Sequence, residues 1–596
     1  MFSQAGRDLL IYGTKRGRSE VWIRVRMKPN GKTKQRPDHP DQLRRAAFLQ
    51  PEAAREFRRA LDRAKKAAAG SKPELAVEWC RYGATVAWLS NPGLFYCREM
   101  EQLLSEIGRR YLKPATQLPL AGGSPKRFLH VMTTAFQTGG HTRVVCRWIE
   151  TCAQHSPSER HSVLISKQGD EPVPCWLTRS ARRTEGELLQ LPPMPSWLQT
   201  AAEIRTKSLE FDVIVLHTHP NDPLPNLAFC DQPRPVMFYN HADHMFTLGM
   251  DAAWIVADQR LAGHEVSSIL RAESPRKVLL PIPLLDDPSL RWDKAEARRK
   301  LGLPVDAPIA LTIGEPFKFS PALGCNFPEV VRCIWDGDPR VLVVAVGVSE
   351  VEPWSELKRS TGGRFQPVGH VVDPKILECY YSAADLYLDS LPCGSQTSVL
   401  DAARHALPVQ RLNNSYQPLL WSDDLALDSV LTAASDQSNY VAGVLQWLQW
   451  PEEKRAELGC RLRAAVLQEH CGASWKTRWL DPAMSALSAS CQGSVKSKRK
   501  GLEGNKDFFQ GLAGLEWPGG AASMFVAAAI LFAEEIPWRI RISGLLRSIK
   551  PLLLDTAHDD MPRVRFLMSK DLIKTVLPKP VVAVMGRIVR PIVKRL

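Results

Sequence analysis

The chain has 596 residues, too many for one hydrophobic core, and this length predicts two to four domains. Hydrophobic residues make up 44% of it, which supplies enough apolar surface for large α/β domains. The formal net charge is +15 and lies at the two ends: residues 1–127 carry +14 and residues 496–596 carry +9, whereas the segment between them carries −8.

Basic flanks around a mildly acidic centre favour an anionic partner such as a membrane surface or a polyanion. Solvated helix faces explain the same charges equally well. Specific nucleic-acid binding is not expected, because no DNA- or RNA-binding motif is present and Trp and Tyr do not interleave with the basic runs.

Cysteine usage and the apolar runs bear on the cellular compartment. The thirteen cysteines form no C-x-x-C pair, and Cys146 and Cys379 lie in apolar helical patterns, as reduced buried thiols do. No signal peptide is visible, and the apolar run 521–533 is shorter than the roughly 20 residues that span a membrane. We expect a cytoplasmic protein, with peripheral attachment to the inner face of the membrane through the basic flanks.

The first elements in chain order are short. Residues 1–50 contain the alternating run VWIRVRM among Lys, Arg, Pro and Gly, which predicts a basic arm or a small β element. Residues 51–113 contain three amphipathic stretches separated by GSKP and SNPG and predict a helical hairpin unit.

From residue 126 apolar strands alternate with segments of helix length. This pattern runs over 126–285 and restarts over 286–490, which predicts two Rossmann-like α/β domains facing each other. Ligands of such sheets bind at the carboxyl ends of the strands. Residues 491–506 form a basic linker, and 507–596 form a basic amphipathic region suited to a membrane surface, to a partner, or to a small helical domain on the core.

Three segments of the expected cleft carry groups that suit a diphosphate. Gly139 and Gly140 stand where the first strand becomes a helix, whose N-terminal N–H groups attract anions. Lys318 follows the first strand of the second domain and would offset a leaving diphosphate. The loop PCGSQTS precedes a helix, where its hydroxyls and N–H groups either cap the helix or face a phosphate. Asp401, one turn into that helix, would accept both hydroxyls of a ribose.

The arrangement resembles glycosyltransferases of the GT-B fold over roughly residues 128–486. The resemblance rests on Gly-Gly after the first strand, a histidine after VMFYN, Lys318, and the run GHVV…YYSAADLYLDSLP…DAARHALPV. Many retaining members carry two glutamates eight residues apart; Asp401 corresponds to the second of them, and Cys393 stands where the first would be.

The stretch DSLPCGSQTSVLDA is more similar to the protein O-GlcNAc transferases and their bacterial relatives. That resemblance implies an inverting enzyme and a nucleotide-sugar donor, with a UDP-sugar favoured and no cofactor or metal. It implies that Thr397 and Ser398 hold the diphosphate, that Asp401 binds the ribose and that Lys318 contacts a phosphate. With the two loops, the candidate donor-binding residues are Gly139, Gly140, Lys318, Gly394, Gln396, Thr397, Ser398 and Asp401. Gly394 is one position out of register with the family pattern.

Histidines supply the candidate base. His141 follows the glycine loop, His217 and His219 end one strand, and His241 and His244 end the next. An imidazole suits either deprotonation of an acceptor or stabilisation of the departing diphosphate. We name His241, His141 and Asp243 as catalytic candidates without ranking them. A zinc site is disfavoured, since the histidines lack the helical i, i+4 spacing of a zinc enzyme.

The sequence therefore predicts a glycosyltransferase that moves a hexosyl or N-acetylhexosaminyl group to a glycan, a lipid-linked saccharide or a protein. Two alternatives stay open. One is a nucleotide-sugar epimerase on the same fold, and the other is a degenerate GT-B domain kept as a binding module, which Cys393 leaves plausible.

Overall fold

The computed structural model describes the backbone of residues 7–13 and 21–27 and then residues 51–90, 94–114, 126–231, 234–271, 275–287, 291–319, 325–413 and 422–492. The basic linker and the C-terminal region 507–596 therefore lie outside the described residues, apart from 491–492. In the part that is described, the helices are all too short or too polar to cross a bilayer.

The first elements are an antiparallel strand pair and three helices. Strand β1 (Arg7–Gly13) pairs with β2 (Val21–Met27), and α1 (Pro51–Ala69), α2 (Pro73–Ser90) and α3 (Arg98–Tyr111) follow. The three helices share one core with the first large sheet. The Glu101 carboxylate of α3 accepts the backbone N–H groups of Gly249 and Asp251, both at 2.9 Å, so this helical unit is fastened to the first domain.

The first large sheet has seven parallel strands in the order β5-β4-β3-β6-β7-β8-β9. Its strands are nearly continuous apolar runs because helices cover both faces. The strands are β3 (Arg127–Met132), β4 (Arg160–Ile165), β5 (Leu188–Gln190), β6 (Val213–His217), β7 (Val236–Asn240), β8 (Ile255–Asp258) and β9 (Arg276–Leu279). The helices are α4 (Gly140–His155), α5 (Cys175–Arg183), α6 (Trp197–Ser208), α7 (Leu224–Ala228) and α8 (Leu261–Leu270).

The second sheet has five parallel strands in the order β12-β11-β10-β13-β14. Its strands are β10 (Ile309–Ile313), β11 (Leu342–Val346), β12 (Phe365–Gly369), β13 (Leu386–Leu388) and β14 (Val409–Gln410). Its helices are α9 (Lys294–Lys300), α10 (Phe327–Gly337), α11 (Trp354–Ser360), α12 (Pro374–Ala383), α13 (Gln396–Arg404), α14 (Leu425–Asp428), α15 (Gln437–Gln449) and α16 (Glu452–His470).

The last described helices return to the first domain. A short helix α17 (Gly472–Trp475) packs on α4, and α18 (Asp481–Gln492) packs on β8 and β9. The Trp475 indole N–H donates to the carbonyl of Pro281 at 2.7 Å. Its ring packs edge-to-face against that of Trp148, with the two ring centroids 5.8 Å apart. Two Rossmann-like domains that face each other, joined by such a returning segment, confirm the predicted α/β fold of the GT-B type.

Candidate functional site

A cavity of about 380 Å³ opens between the two domains at the carboxyl ends of their strands. Its volume is in the range of small-molecule sites. All eleven residues predicted from the sequence line it: Gly139, Gly140, His141, His241, Asp243, Lys318, Gly394, Gln396, Thr397, Ser398 and Asp401. The tertiary structure thus brings together segments that are up to 262 positions apart in the chain.

Two helix N-termini, one from each domain, meet at this cavity. Helix α4 begins at Gly140 after Gly139, whose φ of +89° is accessible mainly to glycine. Helix α13 begins at Gln396, and its second residue, Thr397, faces Gly140. A Cβ atom on Gly140 would lie 2.5 Å from Oγ1 of Thr397, so the close approach of the two helices requires glycine there. Opposed N-termini of this kind would place unpaired N–H groups on both sides of an anion bound between them.

We expect Gly140→Ala to separate the two helix starts and to weaken binding of any nucleoside diphosphate about 10-fold or more, because a Cβ contact of 2.5 Å cannot be accommodated without movement. Calorimetry with UDP measures the change. The double variant Gly140→Ala/Thr397→Ala removes the clashing side chain and should recover part of the affinity. Equal loss in the single and double variants would contradict this role of Gly140.

The loop before α13 is organised by a carboxylate. Asp389 accepts hydrogen bonds from the backbone N–H groups of Ser390 and Ser395 at 2.9 and 2.8 Å and from Oγ of Ser395 at 2.7 Å. The sequence left open that the Ser395 hydroxyl caps α13. In the structure this hydroxyl makes no capping hydrogen bond. Gly394 lies against Ser422, since a Cβ there would be 2.4 Å from its Oγ. Gly394 and Ser395 therefore stabilise the conformation of the loop. Thr397 and Ser398 line the cavity and can contact a ligand.

Two cations approach the cavity from opposite domains. Lys318, in a 3₁₀ turn after β10, donates from Nζ to the carbonyl of Gly394 at 3.0 Å. Arg143, in the first turn of α4, lines the cavity, and within the described ranges its guanidinium has no hydrogen-bond or ion-pair partner. Burial and the neighbouring Arg147 lower the pKa of Arg143, and the nearby carboxylates of Asp401 and Glu378 offset this only in part.

Asp401 is engaged by arginines. Nη2 of Arg147, from α4, lies 2.8 Å from both of its oxygens, and Nε of Arg404 lies 3.4 Å from Oδ1. Arg404 also donates to both oxygens of Glu378 at 2.8 Å. Asp401 lines the cavity but is only 2% exposed. A ribose would have to share this carboxylate with Arg147, so the residue closes the domain interface as well as facing the cavity.

The two histidine candidates are in contact, with ring centroids 4.4 Å apart. Nε2 of His141 lies 3.0 Å from the carbonyl oxygen of His217 and must donate to it. Nδ1 therefore carries a lone pair, which is buried and has no hydrogen-bond partner among the described residues. Burial, with His219 nearby, lowers the pKa of His141 to about 3. His241 contacts His217 through Nε2 at 2.9 Å and the side-chain amide of Gln259 through Nδ1 at 3.0 Å. Burial also lowers the pKa of His241 well below its usual value, so both imidazoles are neutral at pH 7.

Asp243 is held in an ion pair. Arg260 donates to its two oxygens at 2.6 and 2.9 Å and also contacts Asp423 of the second domain at 2.7 Å. Burial alone would raise the pKa of Asp243, but Arg260 and His244 hold it well below the usual range. A carboxylate paired in this way is a weak base. Its ion pair with Arg260, which also contacts Asp423, indicates a structural link between the domains and not a catalytic role.

The other histidines named from the sequence, and one group of metal-ligating residues, differ in their position relative to the cavity. His244 lines the cavity and contacts Asp243, His217 is fully buried behind His241, and His219 stacks on Phe136. In the described part of the chain, one group brings metal-ligating atoms within 4.8 Å of each other: Cys152, Glu159 and His161. None of these three lines the cavity, and His161 and Glu159 are already hydrogen-bonded to each other at 3.3 Å.

Sequence reasoning missed several residues of the site. Arg143 and Arg147 recur four apart in TRVVCRW, a spacing that places both on one face of α4 and could have revealed them. Asp389 precedes the loop PCGSQTS, and an aspartate at the end of a strand is typical of a turn. Gln259 follows a strand with no signal in its surroundings, and only the tertiary contact with His241 identifies it.

Comparisons with known proteins give structural neighbours alone. No protein-family model and no curated protein matches the chain. A mutant O-GlcNAc transferase of Thermobaculum terrenum is 16% identical, with 76% of this chain and 88% of that chain covered and a TM-score of 0.49. HepE of Anabaena, in complex with UDP and glucose, is 14% identical (61% and 100% covered, TM-score 0.46), and the glycosyltransferase WaaG is 14% identical (61% and 99% covered, TM-score 0.41).

Proposed function

We propose that the protein is a glycosyltransferase that binds a nucleotide-sugar, with a UDP-sugar favoured, and passes the sugar to a glycan, a lipid-linked saccharide or a protein. One observation carries the proposal. The N-termini of α4 and α13 oppose each other across one cavity, with Arg143 and Lys318 beside them and two neutral imidazoles at its wall. Positive helix ends and cations suit a diphosphate, and a neutral imidazole suits proton abstraction.

The roles follow from this arrangement. Helix N-termini and the two cations would hold the diphosphate and offset its charge as the sugar–phosphate bond breaks. His241 would accept the proton of the attacking hydroxyl, and the Nδ1 lone pair of His141 would accept a hydrogen bond from a sugar or acceptor hydroxyl. The acceptor would lie on the first-domain side, and the interdomain links Arg147–Asp401 and Arg260–Asp423 would keep the cleft closed against water. We place the protein in the cytoplasm, with its basic flanks toward an anionic membrane.

The test of donor binding is a thermal-shift titration with UDP, GDP, ADP and CMP and their sugar conjugates. A ligand at 100 times its Kd stabilises the folded state by about 2.7 kcal/mol. We expect Arg143→Ala and Lys318→Ala each to weaken UDP binding about 10-fold or more, because each removes a charge-assisted contact. Arg299→Ala removes the same charge from the exposed end of α9 and should bind as the wild type does. A full response in both cavity variants would show that the site is elsewhere.

The test of transfer is release of UDP from UDP-glucose or UDP-N-acetylglucosamine with and without acceptor. Release that rises with added acceptor supports a transferase. Conversion of the donor to its epimer with no UDP set free would identify a nucleotide-sugar epimerase. Binding of UDP without turnover of any donor would support a binding module.

A further inference from the structure

Four buried histidines form a continuous row across the first sheet. His161 is the second residue of β4, His130 lies in the middle of β3, His217 ends β6 and His241 follows β7. These four strands are neighbours in the sheet, in that order. Each of the three links between them joins side chains that are buried or line the cavity. We call these four residues the histidine row.

The row is diagonal because of the strand register. His161 pairs with Phe128, two residues before His130, and His217 pairs with Met132, two residues after it. Side chains two apart on a strand share one face of the sheet, so the three strand-borne imidazoles lie on the same face and step toward the carboxyl ends. The diagonal therefore starts at the amino-terminal edge of the sheet and ends in the cavity.

The hydrogen bonds along the row are short and unbroken. At the end away from the cavity, His161 is hydrogen-bonded to the carboxylate of Glu159. At the cavity end, His241 is hydrogen-bonded to the side-chain amide of Gln259. From the far end the contacts are Glu159 Oε2 to His161 Nε2 at 3.3 Å, His161 Nδ1 to His130 Nε2 at 3.0 Å, His130 Nδ1 to His217 Nε2 at 3.0 Å, His217 Nδ1 to His241 Nε2 at 2.9 Å, and His241 Nδ1 to Gln259 Nε2 at 3.0 Å.

The carboxylate sets the direction of every bond. A neutral imidazole has one N–H and one lone pair, and an ionised carboxylate can only accept. His161 must therefore donate from Nε2 to Glu159, which leaves its Nδ1 to accept from His130, and the same choice repeats along the row. All four rings are thus Nε2–H tautomers, and the lone pair on Nδ1 of His241 points to the cavity end of the row.

We propose that the histidine row is a reversible proton relay between the cavity and Glu159. The proposal rests on the proposed function in so far as the proton comes from an acceptor hydroxyl at His241. The proposal goes beyond that function because it assigns proton transfer to His130, His161, His217 and Glu159. These residues act through His241 and are positioning residues in this sense.

The proton balance closes without forming a buried imidazolium. The acceptor O–H gives its proton to Nδ1 of His241 in place of the Gln259 amide. Each ring then passes its Nε2 proton to Nδ1 of the next, and the last proton goes from His161 to the carboxylate of Glu159. All four rings become Nδ1–H tautomers and remain neutral. The reverse sequence returns a proton to the cavity when the nucleoside diphosphate leaves, so no ring has to rotate.

The surroundings keep the rings neutral. Burial lowers the pKa of all four imidazoles, and the neighbouring imidazoles lower the values of His130, His217 and His241 further. The titratable groups that face the row are His141, His219 and Tyr239 at the cavity end and Cys152 and Lys476 at the Glu159 end. Among the described residues, Glu159 is the one acid that contacts the histidine row, so the proton leaving His161 goes to Glu159.

Nitrogen NMR of ¹⁵N-histidine protein tests the relay without any substrate. At pH 7 we expect the four rings to be Nε2–H tautomers. On acidification within the folded range, one proton should shift all four to the Nδ1–H form at a single midpoint. In His130→Phe the rings on the two sides of the gap should no longer change together. Separate midpoints in the wild type, or Nδ1–H rings at pH 7, would overturn the proposal.

The kinetic test uses a glutamine that can hold the hydrogen bonds of His130 but cannot relay a proton. We expect His130→Gln to keep UDP binding, to release UDP from UDP-glucose or UDP-N-acetylglucosamine about 10-fold or more slowly, and to lose the curvature of the rate in H₂O–D₂O mixtures. Activity and curvature like the wild type in His130→Gln, with loss in His130→Phe, would show a structural row. A wild type inactive on both donors contradicts the proposed function alone, and the NMR titration then decides the relay.

Discussion

Replacing His241 by alanine should lower the rate of UDP release from UDP-glucose or UDP-N-acetylglucosamine by about 10²- to 10⁴-fold, the usual contribution of a general base. His241 lines the cavity and is backed by His217 at 2.9 Å, so it combines access to the acceptor with a path for the accepted proton. His141, whose Nε2–H is committed to a carbonyl, has the lone pair but no such path. Its alanine variant should lose less activity.

The control for His241→Ala is His155→Ala, at the exposed end of α4. UDP binding should be similar in both variants, because the diphosphate contacts lie on the helix starts and cations. A rate within about threefold of the wild type in His241→Ala would remove it as the base. A larger loss in His141→Ala than in His241→Ala would assign the base to His141.

Replacing Asp401 by alanine is expected to destabilise the folded protein by about 3–5 kcal/mol, the cost of leaving a buried ion pair with one partner. Arg147 and Arg404 would both lose their contact with this carboxylate, and the contact of Arg147 is one of the links between the domains. Urea unfolding followed by circular dichroism measures the change. Asp401→Ala is therefore a poor probe of ribose binding taken alone.

The double variant Arg147→Met/Asp401→Leu separates the two roles of Asp401. Apolar side chains of similar volume often replace a buried ion pair without loss of stability, so we expect the double variant to recover most of the stability. If Asp401 also binds the ribose, UDP affinity should stay low in the stable double variant. Stability as low as in the single variant would show that the ion pair itself, and not the unpaired arginine, matters.

The fold and the list of cavity residues were largely predictable from the sequence. Two runs of apolar strands alternating with helices can bury their surfaces only as parallel sheets, and the carboxyl ends of those strands carry the glycines, hydroxyls and histidines. For this reason Gly140, Lys318 and Thr397 could be placed at one cleft before their distances were known.

The pairing of these residues was decided by the tertiary structure. Asp401 is a plausible ribose ligand in sequence, but Arg147, 254 positions away, occupies both of its oxygens. His130 in FLHVM is typical of a buried strand residue, and the register of β3, β4 and β6 is what aligns it with His161 and His217. Local sequence determines which residues form strands and where those strands end. Contacts between residues far apart in the chain depend on strand order, register and domain closure, and these set which groups remain free for chemistry.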